Sequence, residues 1–205
     1  VAADRHAAAL AIDRSAQDEW GRRALERRTP PPPGAILPVG ARPGDAVAVQ
    51  RDTPVTTDVI RSIDHELKPI FDTDGTTTAL TFAPAADGVV ALVLGRTGEA
   101  LGEVEMTASR AGSPLDVVSV RPDRDVDRLD LAAISASTAL SALALGEFDP
   151  ALVDIDGSTT AVGDAAAAED LRPLVDGLHR SPAGTTGFGA RVGAGAAAGY
   201  VWRRL

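Results

Sequence analysis

The sequence predicts an α+β fold, in which helices pack on a mainly antiparallel sheet and a further helix forms an N-terminal appendage. Two observations predict this class. Three apolar, β-branched runs follow one another closely: TTALTFA (77–83), GVVALVLG (88–95) and ALGEVEMTA (100–108). A longer segment, DLAAISASTALSALALG (130–146), is apolar on nearly every side and has the length of a buried helix. Successive strands followed by such a helix favour an antiparallel sheet covered on one face.

Composition divides the chain into three parts. Residues 1–28 repeat apolar side chains at the spacing of one helix face, which predicts a single amphipathic helix. Residues 29–44, TPPPPGAILPVGARPG, predict a stiff Pro/Gly-rich connector, because proline fixes φ and lacks the donor that a helix needs. Residues 45–205 then form the α+β globular domain.

Within this domain, DAVAVQ (45–50) alternates as a strand does, and TTDVIRSIDHELKPI (56–70) has apolar residues on one helical face. The three apolar runs that follow are joined by turn-forming residues and predict an antiparallel meander. LDVVSV (115–120) would add a fourth strand. RPDRDVDRLD (121–130) alternates Arg with Asp and is interpreted as a solvated turn.

The last third of the chain predicts two helices and a hairpin. The first helix spans 131–145 and ends at Gly146, in the usual position for a C-terminal cap. The second helix, GDAAAAEDLRPLVDGLH (163–179), should be kinked where Pro173 removes a hydrogen bond. The glycine-rich tail (184–205) predicts a β-hairpin whose last strand is GYVWRR.

The overall composition excludes several function classes. A formal net charge of -9 argues against nucleic acid and anionic membranes as partners, because both require a basic face, and it favours a soluble monomer. The chain has no Cys, which excludes disulfides, thiolate zinc sites and a Cys nucleophile. Only 3% of residues are aromatic, so small aliphatic side chains must fill the core, and Trp20, Trp202 and Tyr200 are expected inside it.

An Asp-x-Asp-Gly motif occurs twice, as FDTDGT (71–76) and as VDIDGS (153–158). Over these few residues the chain resembles the haloacid-dehalogenase-like phosphatases, whose resemblance implies a nucleophilic first Asp and a general-acid second Asp. That family also needs a downstream cation and a parallel sheet, whereas Lys68, the single lysine, lies upstream of both copies. A calcium loop would use Asp72, Asp74, Asp154 and Asp156 as ligands, but it requires glycine at its sixth position, and here glycine is fourth.

A turn explains both copies more simply, because Asp-Gly between extended runs supplies the positive φ that tight turns need. The sequence therefore predicts no catalytic residue, no metal site and no cofactor, with Asp72, Asp74, Asp154 and Asp156 as the remaining metal candidates. Gly75 and Gly157 are expected to serve backbone geometry.

Three segments of the chain together resemble conserved hypothetical proteins of actinobacterial type VII secretion loci. They are the Ala-rich helix, the segment EFDPALVDIDG (147–157) and the segment GTTGFGARV (184–192). This resemblance implies an accessory or exported protein with another protein as partner, in the envelope, outside the cell or in the cytoplasm. The acidic charge, the Pro-rich connector and the lack of an assembled catalytic set predict a non-enzymatic protein-interaction or accessory domain, in a secretion-associated or envelope setting. A small-molecule or carbohydrate-binding domain is the first alternative, and a phosphatase is the second.

Overall fold

The main sheet has four strands in the order β3, β6, β5, β4. A computed structural model describes residues 2–31, 37–40, 42–49, 66–95, 100–111, 122–165, 168–193 and 196–205. The sheet strands are β3 (Gly102–Ala111), β4 (Arg128–Ala133), β5 (Thr186–Gly193) and β6 (Ala196–Arg204). Strand β6 pairs antiparallel with both β3 and β5, while β4 and β5 run parallel. A mainly antiparallel sheet in an α+β fold is thus confirmed, as is the C-terminal hairpin.

The predicted meander is wrong. Of its three runs only the last becomes a strand, β3, and β3 pairs with the C-terminal β6 instead of with its neighbours in sequence. In the run 88–95 the side chains of Val89, Val93 and Leu94 are almost fully exposed. The run 77–83 makes only an isolated bridge, from Phe82 to Ser135. Alternation and β-propensity show that a segment can be extended, but they do not specify its partner.

The N-terminal region forms two helices instead of the single helix predicted. They are α1 (Ala2–Ala9) and α2 (Arg14–Arg27), separated by Ala11 at a φ of 54°. The Asp13 carboxylate caps α2 by accepting the Ala16 amide at 2.8 Å. This helical region contributes to the core, because Trp20 belongs to the largest apolar cluster. A short two-stranded sheet, β1 (Val39–Gly40) with β2 (Val47–Val49), follows and matches part of the strand predicted at 45–50.

The apolar segment 130–146 is divided between a strand and a helix. Its first residues belong to β4, and α3 (Ala136–Gly146) begins only after Ser135, whose hydroxyl accepts the Thr138 amide at 3.2 Å. Two shorter helices follow, α4 (Thr159–Val162) and α5 (Arg172–Arg180), with Pro173 in the first turn of α5. The kinked helix predicted over 163–179 is therefore shorter and begins beside its proline, where the missing N–H costs nothing. The predicted helix 56–70 and strand 115–120 fall wholly or mostly outside the described residues.

Small side chains fill the core, as the composition predicts. Ala133, Ala136, Ala139 and Ala142 are buried beneath the sheet in the largest cluster, together with Leu129, Leu131 and Phe188. The three aromatic residues expected inside are buried: Trp20, Trp202 and Tyr200 have relative exposures of 4%, 1% and 6%. In the tail, Gly187 lies directly against the Trp202 indole ring, so that a Cβ there would overlap the ring. Close packing thus accounts for glycine within this strand.

We expect Gly187→Ala to lower the free energy of unfolding by about 1–3 kcal/mol, because the added methyl group overpacks the Trp202 site. Urea unfolding followed by Trp fluorescence measures this change. Gly95→Ala is the matched control, since a Cβ at Gly95 meets no atom within 4 Å. Equal stability of the two variants would contradict the role assigned to Gly187.

Candidate functional site

An apolar cavity of about 250 Å³ lies between α2, α4 and the extended segment 70–84. Leu25 from α2 forms one wall, and Thr160 and Ala161 from α4 form another. The remaining wall consists of Ile70, Ala79, Leu80, Phe82, Ala83 and Pro84. Concave apolar cavities with few polar groups are the usual form of small-ligand sites.

The segment that walls this cavity is fastened to the N-terminal helices by side-chain hydrogen bonds. Asp4 Oδ1 accepts the Thr77 hydroxyl at 2.7 Å and the Thr76 hydroxyl at 3.1 Å. Although burial opposes it, these hydrogen bonds hold the pKa of the Asp4 carboxyl below its ordinary value. The buried Gln17 amide also donates to Thr76 Oγ1, at 2.8 Å. Thr76 and Thr77 belong to the first Asp-x-Asp-Gly segment and its continuation, so this segment has an anchoring role.

The same segment is hydrogen-bonded to the backbone between β4 and α3. The Ala83 amide donates to Ile134 O and the Ala136 amide donates to Thr81 O, both at 2.8 Å. The helix start carries a hydroxyl cluster, in which Ser135 Oγ lies 2.9 Å from both Ser137 Oγ and Thr138 Oγ1. All three residues are buried and hydrogen-bonded to one another. Ser135 therefore caps the helix, and the other two hydroxyls hold its side chain in place.

The first Asp-x-Asp-Gly copy is an exposed turn. The Gly75 amide donates to Asp72 O at 3.0 Å, and Asp72 and Asp74 are both exposed. Gly75 is not among the glycines with positive φ, so the prediction of a left-handed conformation there is wrong. The hydrogen bond of this turn forms without a positive φ at Gly75. Gly75 instead lies next to the carboxylate of Asp4.

The second copy has the same turn in a different environment. The Gly157 amide donates to Asp154 O at 3.0 Å, and Gly157 has the predicted positive φ, at 101°. Asp154 itself is buried and has a φ of 46°, a strained value for a residue with a side chain. Its Oδ1 accepts the Leu131 amide at 2.8 Å, whereas its Oδ2 is buried without a hydrogen-bond partner among the described residues. Burial, together with the charge of Asp130, raises the pKa of the Asp154 carboxyl well above its ordinary value.

A buried ion cluster surrounds this carboxyl. The Arg128 guanidinium binds Asp130 with two hydrogen bonds, of 2.6 and 3.0 Å, and reaches Asp156 at 2.9 Å. Arg172 similarly holds the buried Glu169 and reaches Asp176 at 2.8 Å. A polar cleft of about 10 Å³, enough for about one water molecule, lies between these groups. The cluster contradicts the solvated-turn interpretation of 121–130 only at its end, because Arg128 and Asp130 are buried in β4, whereas residues 123–125 are exposed.

The four predicted metal candidates do not form one site. Asp154 and Asp156 lie in the charged cleft with Arg128, while Asp72 and Asp74 belong to the exposed turn that is held from α1. Within the described ranges no group of three or more His, Cys, Asp or Glu side chains is arranged to hold a metal. No helix in the described part of the chain is long and apolar enough to cross a membrane.

Sequence reasoning missed Arg128, Asp130 and Thr160. A signal for the first two was present: Arg128 and Asp130 are two residues apart in an otherwise apolar strand, so they lie on one face of it and can pair. Thr160 carried no comparable signal, since its place in the cavity wall depends on how α4 packs.

Solved structures of thiolases have the same fold as this chain. The dimeric peroxisomal thiolase of Saccharomyces cerevisiae matches with a TM-score of 0.75 and 19% identity, over 99% of this chain and 58% of that one. An Ascaris suum thiolase, Acat5, solved in complex with coenzyme A, gives a TM-score of 0.75 at 18% identity, over 99% and 59% of the two chains. Human mitochondrial 3-ketoacyl-CoA thiolase gives 0.77 at 15% identity, over 99% and 58%.

These matches define the chain as a thiolase-fold protein, and it spans a little under three fifths of the length of those thiolases. No protein-family model and no curated protein matches the sequence. The predicted non-enzymatic, secretion-associated interaction role is wrong, because the solved structures that share this fold include an acetyl-CoA acetyltransferase and a 3-ketoacyl-CoA thiolase. The phosphatase alternative fails on the same comparison and on the mainly antiparallel sheet.

We expect Asp154→Asn to change how stability depends on pH. Because the folded-state pKa of Asp154 lies above the unfolded one, the carboxyl stabilises the fold fully below the unfolded pKa of about 4. That contribution is lost as the pH rises through the folded pKa. The variant lacks this loss, so its free energy of unfolding relative to the wild type should rise with pH, by up to about 1.4 kcal/mol per pH unit.

Urea unfolding between about pH 4 and pH 8 tests this expectation. Asp72→Asn serves as the control, because it makes the same substitution in the exposed copy of the motif. Parallel profiles for Asp154→Asn and the wild type would mean that Asp154 titrates alike in both states.

Removal of the Asp4 carboxylate should loosen the cavity wall. Asp4→Ala leaves the hydroxyls of Thr76 and Thr77 without their acceptor, and we expect a loss of about 1 kcal/mol because solvent replaces part of the interaction. Hydrogen exchange of amides in 76–81 should quicken as well. Asp74→Ala, in the neighbouring exposed turn, should change neither quantity.

Proposed function

We propose that this chain forms the acyl-binding part of a thiolase-fold acyltransferase, with the acyl group of a coenzyme A thioester in the apolar cavity. The cavity carries this proposal. It is walled almost entirely by apolar side chains and lies in a fold shared with acetyl-CoA acetyltransferases and 3-ketoacyl-CoA thiolases. A hydrocarbon chain gains about 0.8 kcal/mol for each methylene group that it buries in such surroundings.

The size of the cavity favours a short acyl group. At about 250 Å³ it falls just below the range of about 300–1,000 Å³ that is typical of sites for drug-sized ligands. Its rim includes Ile70 and Ala79, which are exposed, so a thioester and its carrier can extend into solvent while the acyl end is enclosed.

This chain's own residues supply binding and orientation. The sequence contains no cysteine, so no thiolate of this chain can accept the acyl group. The hydroxyls of Ser135, Ser137 and Thr138 are buried and hydrogen-bonded to one another, Ser135 also caps α3, and no basic group is hydrogen-bonded to them in the described contacts. Neither a thiolate nor this hydroxyl cluster therefore serves as the acyl acceptor in the proposed function.

Titration calorimetry with acetyl-, butyryl- and hexanoyl-CoA tests the proposal. We expect saturable binding that strengthens about fourfold per methylene group until the cavity is full. Ala79→Trp places an indole at the rim and should weaken butyryl-CoA binding at least about tenfold. Ala144→Trp is the matched control, because Ala144 is an exposed alanine on α3 that does not line the cavity. Absence of binding, or equal affinities for the two variants, would refute the proposal.

A further inference from the structure

The apolar cavity contains a polar feature that acyl binding alone does not use. Among the described residues that line it, Thr160 alone has a polar side chain. Thr160 is 7% exposed, and its Oγ1 lies 2.6 Å from the hydroxyl of Ser158, which is 4% exposed. Thr160 therefore brings a buried hydroxyl to the apolar cavity, and its hydrogen-bond partner Ser158 lines the polar cleft.

Neither hydroxyl of this pair is used to cap the helix. Ser158 occupies the N-cap position of α4, yet its side chain makes no hydrogen bond to the helix amides. Its described partner is Thr160 instead. The pair therefore fixes the Thr160 hydroxyl in place and leaves part of its hydrogen-bonding capacity unused.

A hydroxyl has one donor and two acceptor positions for hydrogen bonds. The position that Thr160 leaves free depends on which of the two hydroxyls donates. If Thr160 donates to Ser158, it can only accept from a ligand. If it accepts from Ser158, it keeps its donor and one acceptor position. A ligand hydroxyl can donate or accept, so it suits both arrangements. A ligand carbonyl suits only the second, and a methylene group suits neither.

We propose that Thr160, held by Ser158, is a specificity-determining residue that selects acyl groups carrying a hydroxyl. This inference rests on the proposed function and narrows its substrate class to hydroxyacyl thioesters. A hydroxyl brought into an apolar cavity without a partner loses its hydrogen bonds to water. Thr160 supplies that partner, so the penalty is removed for a hydroxylated acyl chain. Sites that hydrogen-bond a substrate hydroxyl discriminate against analogues that lack it more strongly than apolar pockets do.

The test compares butyryl-CoA with its 2-, 3- and 4-hydroxy derivatives by calorimetry, on the wild type, Thr160→Val and Thr160→Ser. Valine has nearly the shape of threonine without the hydroxyl. We expect one hydroxy isomer to bind the wild type about tenfold more tightly than it binds Thr160→Val. Plain butyryl-CoA should bind the valine variant as well as the wild type or better, and Thr160→Ser should restore most of the affinity for the hydroxy isomer.

The outcomes separate this inference from the proposed function. If butyryl-CoA binds but Thr160→Val affects all four ligands equally, the cavity binds acyl groups and the hydroxyl selectivity is refuted. If none of the four ligands binds the wild type, the proposed function fails and this inference fails with it. Thermal unfolding of both variants near the wild-type temperature shows that any loss arises in the site.

Discussion

The rest of the structure depends on the hydrogen bonds made by the backbone groups along the buried edge of β4. All six residues of this strand are buried, although β4 ends the sheet in the described part of the chain. Its free edge therefore needs partners for backbone groups that water cannot reach. Asp154 provides them: its amide donates to Leu129 O at 2.8 Å, and its carboxyl accepts the Leu131 amide. The strained φ of Asp154 is the conformational cost of this double contact.

The elements around the cavity follow from that contact. The turn that begins at Asp154 leads directly into Ser158 and α4, and so places Thr160 and Ala161 in the cavity wall. At the other end of β4, Ser135 starts α3, and the backbone there binds the segment that forms the opposite wall. Two of the three chain segments that bound the cavity are thus attached to one strand.

The two sides of α4 differ in the charged residues that they face. Towards the sheet, Arg128 is buried and compensated by Asp130 and Asp156, which avoids an isolated charge in the interior. Towards α2, the cavity has no charged side chain among its described lining residues, and Thr160 supplies their single hydroxyl. A neutral, largely apolar group such as a short acyl chain suits the second environment and is excluded from the first. The ion cluster thus lies on one side of α4, and the apolar cavity lies on the other.

The sequence by itself determined the fold class, the alanine-rich core, the C-terminal hairpin and the turns at both Asp-x-Asp-Gly segments. These features depend on local periodicity, on side-chain size and on the backbone freedom of glycine, all of which are properties of short segments. Only the tertiary structure decided that β3 pairs with β6, because extended segments carry no local record of their partner. It also decided that Asp72 is exposed while Asp154 is buried, although the two motifs are nearly identical in sequence. Burial is set by distant elements, here β4 and α2, and the chemistry of a carboxyl or a hydroxyl depends on that burial more than on the residues beside it.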